Sequence, residues 1–166
     1  VHSPVFHYLN IGREKGILGA PRSKYERWRQ RYDILTPFDI DILAKDSLNL
    51  VCIKIHVIIG EGCAPSHRLI ESLEGQIFKN WTLYKNLDEL TAALGPDDYV
   101  LICSAEVVLR PHCMYMLAKF ARSRKPSVIY SDEEEILDEE VMNPKFKPGF
   151  SPEFLSHDDY IGRNYL

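Results

Sequence analysis

The central part of this chain alternates short β-branched runs with amphipathic stretches, and this alternation restricts its fold more than any other feature. Leu50–Ile59 is apolar and β-branched, whereas Ser66–Phe78 repeats apolar residues at helical spacing. Further segments follow, predicted in turn as strand, helix, strand, helix and strand: Trp81–Tyr84, Leu87–Leu94, Tyr99–Cys103, Pro111–Arg122 and Ser127–Tyr130. This order predicts an α/β fold with a mostly parallel four-stranded sheet, helices on both faces and right-handed crossovers.

The N-terminal quarter has a different pattern. Aromatic and apolar residues recur at three- and four-residue steps along one helical face, at Tyr25, Trp28, Tyr32 and Leu35. Thr36 and Pro37 then have the chemistry of a helix start, with a capping hydroxyl followed by proline in the first turn. We therefore expect a helical N-terminal segment over residues 1–48, followed by the α/β domain over residues 49–166.

Composition excludes several classes of protein. The net charge of −4 argues against general affinity for nucleic acid. No apolar run reaches bilayer length, and no signal peptide is visible. The four cysteines form no CxxC pair, and Cys52 and Cys103 lie in apolar runs, so they are predicted to be small buried thiols. A cytoplasmic protein is expected, with the inner face of the membrane as an alternative location.

Charge is unevenly distributed. Residues 1–31 carry seven bases and two acids, whereas residues 132–140 carry seven acids and no base. The two segments either face each other, within one molecule or between two, or form separately solvated surfaces.

In a parallel sheet, ligands bind at the carboxyl ends of the strands. Those ends are predicted to carry six acids: Glu61, Glu106, Asp132, Glu133, Glu134 and Glu135. Hard cations such as Mg²⁺ or Mn²⁺ prefer carboxylate oxygens together with substrate phosphates, so a metal-assisted phosphate site is one interpretation. An ordinary solvated acidic loop is the other. No GxSxG or Cys–His nucleophile pattern is present, and His56, inside the first strand, is expected to be a satisfied core residue.

Five motifs lie in order along the chain: Phe6-His7-Tyr8-Leu9 with Gly12 and Gly16, Leu69–Trp81, Tyr130-Ser131-Asp132-Glu133, Pro144–Pro152 and Tyr160-Ile161-Gly162. Together they resemble motifs of the family-2 glycosyltransferases of bacterial surface-polysaccharide synthesis. The resemblance implies a GT-A fold, which is a Rossmann-like nucleotide-binding sandwich. It also implies transfer of a sugar from a nucleotide-sugar donor to a glycan acceptor.

The resemblance further implies roles for particular residues. Ser104 and Glu106 would stand at the donor-binding motif, and Glu106 and Asp132 would hold a divalent cation, Mg²⁺ or Mn²⁺. Asp132 and Glu133 would be the catalytic carboxylates, one of them serving as a general base toward the acceptor hydroxyl.

The sequence departs from that family at the donor site. The first strand runs into Gly60-Glu61-Gly62-Cys63, the second into Lys85-Asn86, and in Ser104-Ala105-Glu106 only Glu106 ligates a cation well. Two hypotheses follow: a glycosyltransferase that still acts on a nucleotide-sugar with its cation, or a non-catalytic binding or assembly module that uses no cofactor. In the second case the partner is a full-length transferase or a second copy of the chain, as a homodimer.

Overall fold

The computed structural model describes residues 25, 28, 29, 31, 33–60, 63–137 and 140–162. The predictions on the segment before Tyr25 and on Glu61 lie outside these residues. The chain divides into two compact units. One combines the described residues of Val1–Thr36 with Asp132–Ser151, and the other combines Pro37–Ser131 with the described residues of Pro152–Leu166. The predicted domain boundary near residue 48 stays a prediction.

The larger unit contains a parallel sheet of three strands, β1 (Ile55–Ile59), β2 (Trp81–Tyr84) and β3 (Tyr99–Cys103), in the order β2-β1-β3. Ile55 pairs with Trp81 on one side and with Tyr99 on the other. At the other end, Ile58 pairs with Tyr84 and Ile59 with Cys103. The carboxyl ends of all three strands therefore lie at one edge of the sheet, and the predicted mixed α/β class with a parallel sheet is confirmed.

Helices precede, connect and follow these strands. In chain order they are α1 (Pro37–Ser47), α2 (His67–Glu74), α3 (Leu87–Ala93), α4 (Cys113–Arg124) and α5 (Pro152–Leu155). The cap of α2 is the Ser66 hydroxyl, which accepts the Leu69 N–H at 3.2 Å. The cap of α3 is the Asn86 side chain, which accepts the Glu89 N–H at 2.9 Å. Both side chains satisfy helix-end donors that no carbonyl reaches, which is why each helix begins there.

The core of this unit forms between the sheet and the inward faces of α2 and α4. Ile55 and Val57 of the central strand are fully buried, together with Leu69 of α2 and Met114 and Ala118 of α4. A central parallel strand is covered on both faces, so β1 has no polar face toward water. Truncation of a buried Leu such as Leu69 to Ala is expected to cost about 2–5 kcal/mol.

The prediction of a fourth strand at Ser127–Tyr130 is wrong. Residues 127–130 lie outside the three-stranded sheet, and only Tyr130 forms an isolated β-bridge. Lys125 ends α4 in the left-handed conformation, and Pro126 has no N–H to pair with a strand. Val128 is 47% exposed, so Ile129 is the main apolar contribution of this segment to the core.

The acidic segment forms a hairpin rather than the predicted loop. In the smaller unit, β4 (Glu133–Leu137) pairs antiparallel with β5 (Glu140–Lys145). The register shifts between Glu133 and Glu135, which leaves one extra residue on β5. Asn143 has a φ of 50° there, and Pro144 follows it. Asparagine tolerates this conformation and a bulge tolerates proline, so the Asn-Pro pair suits the bulge.

Three other predictions need correction. Helix α2 ends at Glu74 instead of Phe78, because Gly75 caps it and the polar Gln76 leaves the helix. The first strand begins at Ile55 instead of Leu50, and Cys52, predicted to be buried, is exposed. The Asn80 side chain donates to the carbonyl oxygens of Val51 and Ile53. These oxygens therefore bind a side chain instead of a neighbouring strand.

Helix α1 begins at the predicted Pro37 but buries none of its side chains fully. Phe38 is 72% exposed, and Leu43 is the α1 residue that packs against the core. Polar contacts anchor the other end, where the Tyr115 hydroxyl donates to Asp46 at 2.5 Å and Lys119 lies 2.9 Å from the same carboxylate. Hydrogen bonds from Tyr115 and Lys119 lower the pKa of Asp46 to about 2. In the described part of the chain, no helix combines the length and apolar character needed to cross a membrane.

Candidate functional site

The carboxyl edge of the parallel sheet is built from two loops that bind each other through their backbones. The Gly60 N–H donates to the Cys103 carbonyl at 3.3 Å, and the Ser66 N–H donates to the Ala105 carbonyl at 3.0 Å. Val107 closes a turn on the Ser104 carbonyl at 3.3 Å. The loop that carries Ser104 and Glu106 is therefore held beside the start of α2, at the edge where parallel sheets bind ligands.

Ser104 and Glu106 differ in their surroundings at this edge. Ser104 is half-buried, whereas the Glu106 side chain is exposed. Within the described residues, Glu106 has no hydrogen bond or ion pair. Glu106 is thus an accessible carboxylate in this loop, and its role as a ligand stays a prediction.

A buried glutamine that the sequence did not point to holds this loop in place. Gln76 is fully buried, and its side-chain amide donates to the carbonyl oxygens of Ser72 at 2.9 Å and Arg110 at 2.8 Å. Its Oε1 accepts the Met114 N–H at 3.0 Å. Gln76 therefore joins the end of α2, the loop after β3 and the start of α4. The burial of one glutamine in an apparent helix has no local sequence signal.

His56 is a satisfied core residue, as predicted. Its ring is fully buried, with Nε2 2.8 Å from Asp98 Oδ2 and Nδ1 3.1 Å from the Tyr84 hydroxyl. Asp98 also accepts the Gly95 N–H at 2.8 Å. Burial raises the pKa of Asp98, but the hydrogen bonds from Gly95 and His56 outweigh that effect and leave it below its ordinary value.

Two of the four cysteines, Cys52 and Cys63, are exposed, whereas Cys103 and Cys113 are at least partly shielded from water. Cys103 is buried, as predicted, and burial raises the pKa of the Cys103 and Cys113 thiols to about 11. Both are protonated at neutral pH and therefore poor nucleophiles.

In the smaller unit, Asp132 and Glu133 share one lysine. The Lys147 backbone N–H donates to Asp132 Oδ1 at 2.8 Å, and the Lys147 ammonium binds Glu133 Oε1. The Lys147 side chain is 7% exposed. Burial raises the pKa of Asp132 above its ordinary value, although Lys147 lowers it in part. Lys147 belongs to the motif that runs from Pro144 to Pro152, but the sequence did not predict it as a partner of these acids.

The next two acids have partners of their own. Glu134 accepts the Tyr25 hydroxyl at 2.6 Å and lies 3.5 Å from the Arg29 guanidinium. Glu135 accepts from Asn143 at 2.9 Å and lies 2.9 Å from the Lys145 ammonium. Of the alternatives for the charge asymmetry, Arg29 and Glu134 support contact within one molecule. Burial and the hydrogen bond to Glu134 raise the pKa of Tyr25.

These contacts bear on the cation that the resemblance implies. Glu106 lies in one unit and Asp132 in the other. Their joint role therefore stays a prediction. Among the described residues, no group of three or more His, Cys, Asp or Glu side chains is arranged to hold a metal ion. Glu133 binds the Lys147 ammonium and Asp132 accepts the Lys147 backbone N–H, so a divalent cation at Glu133 would compete with that ammonium.

The two tyrosines of the resemblance motifs meet in the larger unit. The rings of Tyr130 and Tyr160 pack edge to face at 6.0 Å, and Phe154 stacks on Tyr160 at 5.1 Å.

Comparison of the chain with protein-family models, curated proteins and solved structures found no match.

Proposed function

We propose that this chain is a glycosyltransferase-like domain of GT-A type, related to enzymes that transfer a sugar from a nucleotide-sugar to a glycan acceptor. The observation that carries the proposal is the parallel β2-β1-β3 sheet with the Ser104–Glu106 loop fixed at its carboxyl edge. Such an edge is the usual ligand site of parallel sheets. The motifs from Leu69 to Trp81 and from Tyr130 to Glu133 provide the resemblance to that family.

Asp132 is the proposed general base, and its neighbour Glu133 begins β4; the acidic turn is the name given to these two residues. As the acceptor hydroxyl oxygen bonds to the anomeric carbon, the bond from that carbon to the nucleoside diphosphate breaks and the proton passes to Asp132. Burial raises the pKa of Asp132, and a higher pKa makes its carboxylate a better proton acceptor. Ser104 and Glu106 are proposed to contact the donor.

The alternative is a non-catalytic binding or assembly module of glycan synthesis. It is favoured by the internal partners of Glu133, Glu134 and Glu135. A module of this kind retains the fold and needs no turnover.

Thermal-shift measurements with UDP, GDP, dTDP and CDP, each with and without Mn²⁺, test the proposal. A ligand at 100 times its dissociation constant stabilises a protein by about 2.7 kcal/mol. We expect one nucleotide to raise the melting temperature of the wild type, and Glu106→Ala to remove the shift. Glu74→Ala, an exposed glutamate at the far end of α2, is the matched control and should keep the shift.

Turnover separates the two functions. Release of nucleoside diphosphate from the matching nucleotide-sugar, abolished by Asp132→Ala, would support the transferase. Binding without turnover would support the module. If neither nucleotide nor nucleotide-sugar binds, the glycosyltransferase-like proposal is wrong.

A further inference from the structure

The ammonium of Lys147 is buried at the acidic turn, and a buried ammonium requires a negative partner. Its side chain is 7% exposed, and it binds Glu133 Oε1. Removing an amine from water without a partner is strongly unfavourable, so this contact is a condition for burying the residue. The same residue's N–H donates to Asp132 Oδ1 at 2.8 Å. One lysine thus engages both carboxylates that the sequence predicted to be catalytic.

The hairpin explains why Lys147 reaches these acids. Glu133 lies opposite Lys145 in the β4–β5 register, and the bulge at Asn143 precedes this pair on β5. Lys145 binds Glu135, and Lys147, two residues further on, binds Glu133. Both lysines therefore bind acids of β4, but only Lys147 is buried.

The two ion pairs differ in their exposure to water. The Lys145 and Glu135 side chains are 61% and 49% exposed, so water and salt screen their interaction. The Lys147 and Glu133 side chains are 7% and 30% exposed. A Mg²⁺ or Mn²⁺ ion in a protein is commonly held by one or two carboxylates, which is the donor set that Lys147 contacts.

We infer that Lys147, whose ammonium binds Glu133 and whose backbone N–H binds Asp132, takes the place of a divalent metal at these two acids. The acidic turn then needs no added metal, and it binds Mn²⁺ only when Lys147 is removed. The inference rests on the proposed function, because it concerns whether the reaction proposed at Asp132 needs a metal there. Its test uses neither nucleotide nor sugar, so either proposal can fail alone.

Titration with Mn²⁺, followed by loss of the free-ion electron paramagnetic resonance signal, tests the inference on the full chain. We expect Lys147→Met to bind Mn²⁺ roughly tenfold or more tightly than the wild type. Lys147→Met combined with Asp132→Asn should lose that gain, because the new site needs the carboxylate. Lys147→Arg should remain like the wild type, since it keeps the positive charge.

Lys145→Met is the matched control from the same hairpin. It removes an exposed lysine from Glu135 and should not gain comparable Mn²⁺ affinity. Circular dichroism of each variant shows whether the chain is folded. If Lys147→Met unfolds, titration of the wild type with Mn²⁺ still tests the inference. Wild-type Mn²⁺ binding that disappears in Asp132→Asn or Glu133→Gln would overturn it, as would a folded Lys147→Met that gains no affinity.

Discussion

The side-chain oxygen of Gln76 accepts the backbone N–H of Met114 at 3.0 Å, across 38 residues of sequence. The same side chain donates to the carbonyl oxygens of Ser72 and Arg110. The loop with Ser104 and Glu106 lies between the segments that Gln76 connects. A single buried amide therefore joins the last turn of α2 to the first turn of α4.

Replacement of Gln76 is expected to destabilise the larger unit. Gln76→Ala leaves the Met114 N–H and two carbonyl oxygens buried without their partner, at a cost of about 2–4 kcal/mol in the free energy of unfolding. Gln76→Glu keeps the shape but directs a carboxylate at two carbonyl oxygens, so it should also be destabilising. Urea denaturation measures both, with exposed Glu71→Ala as control. A loss no larger than that of the control would contradict the prediction.

The stability of the protein is expected to depend on pH through Asp98. The folded-state pKa of Asp98 lies below its ordinary value, so its contribution is present above the unfolded pKa and is lost as the pH falls through the folded one. Asp98→Asn keeps an acceptor for Gly95 but removes the charge. At pH 7 it should lower the free energy of unfolding by about 1–3 kcal/mol.

The difference between wild type and Asp98→Asn should begin to shrink as the pH falls below the ordinary aspartate pKa of about 4, and it should shrink further through the lower folded-state pKa of Asp98. Urea denaturation at a series of pH values measures it. Asp97→Asn, at the exposed neighbouring position, is the control and should change stability little at any pH. A difference that stays constant down to the acid limit of the folded state would refute the role of the charge.

The Arg29–Glu134 pair should couple energetically, and the Lys145–Glu135 pair should not. The Arg29 and Glu134 side chains are 7% and 20% exposed, so water screens their charges weakly. A double-mutant cycle with Arg29→Ala and Glu134→Ala should give a coupling of about 1–3 kcal/mol. The same cycle on the exposed Lys145–Glu135 pair should give none above experimental error. Equal couplings for the two pairs would show that burial is unimportant here.

Lys125→Gly is expected to stabilise the protein. Lys125 ends α4 with a φ of 47° and a ψ of 49°, a conformation that glycine adopts without steric cost. The gain should be about 0.5–1 kcal/mol, measured by thermal or urea denaturation. Ser123→Gly, two residues earlier inside the helix, should instead lower stability. No gain for Lys125→Gly would indicate that the lysine side chain makes a contribution of its own.

Local patterns predicted the parts of the fold that local chemistry decides. Trp81–Tyr84 and Tyr99–Cys103 are strands with the predicted bounds, because capping and turn residues stand beside them, at Asn86 and at Gly95–Asp98. Residues 127–130 had the same apolar character but follow Pro126, and they do not join the sheet. The β4 strand was missed because a run of glutamates is a poor strand signal by itself.

The sequence by itself determined the alternation of strands and helices and hence the parallel sheet, since both depend on residues close together in the chain. Only the tertiary structure decided which acids are free and which are paired. Glu134 meets Tyr25 across 109 residues, and Glu133 meets Lys147 across 14. Ion pairing depends on distance in space and on burial, and neither can be read from the order of residues.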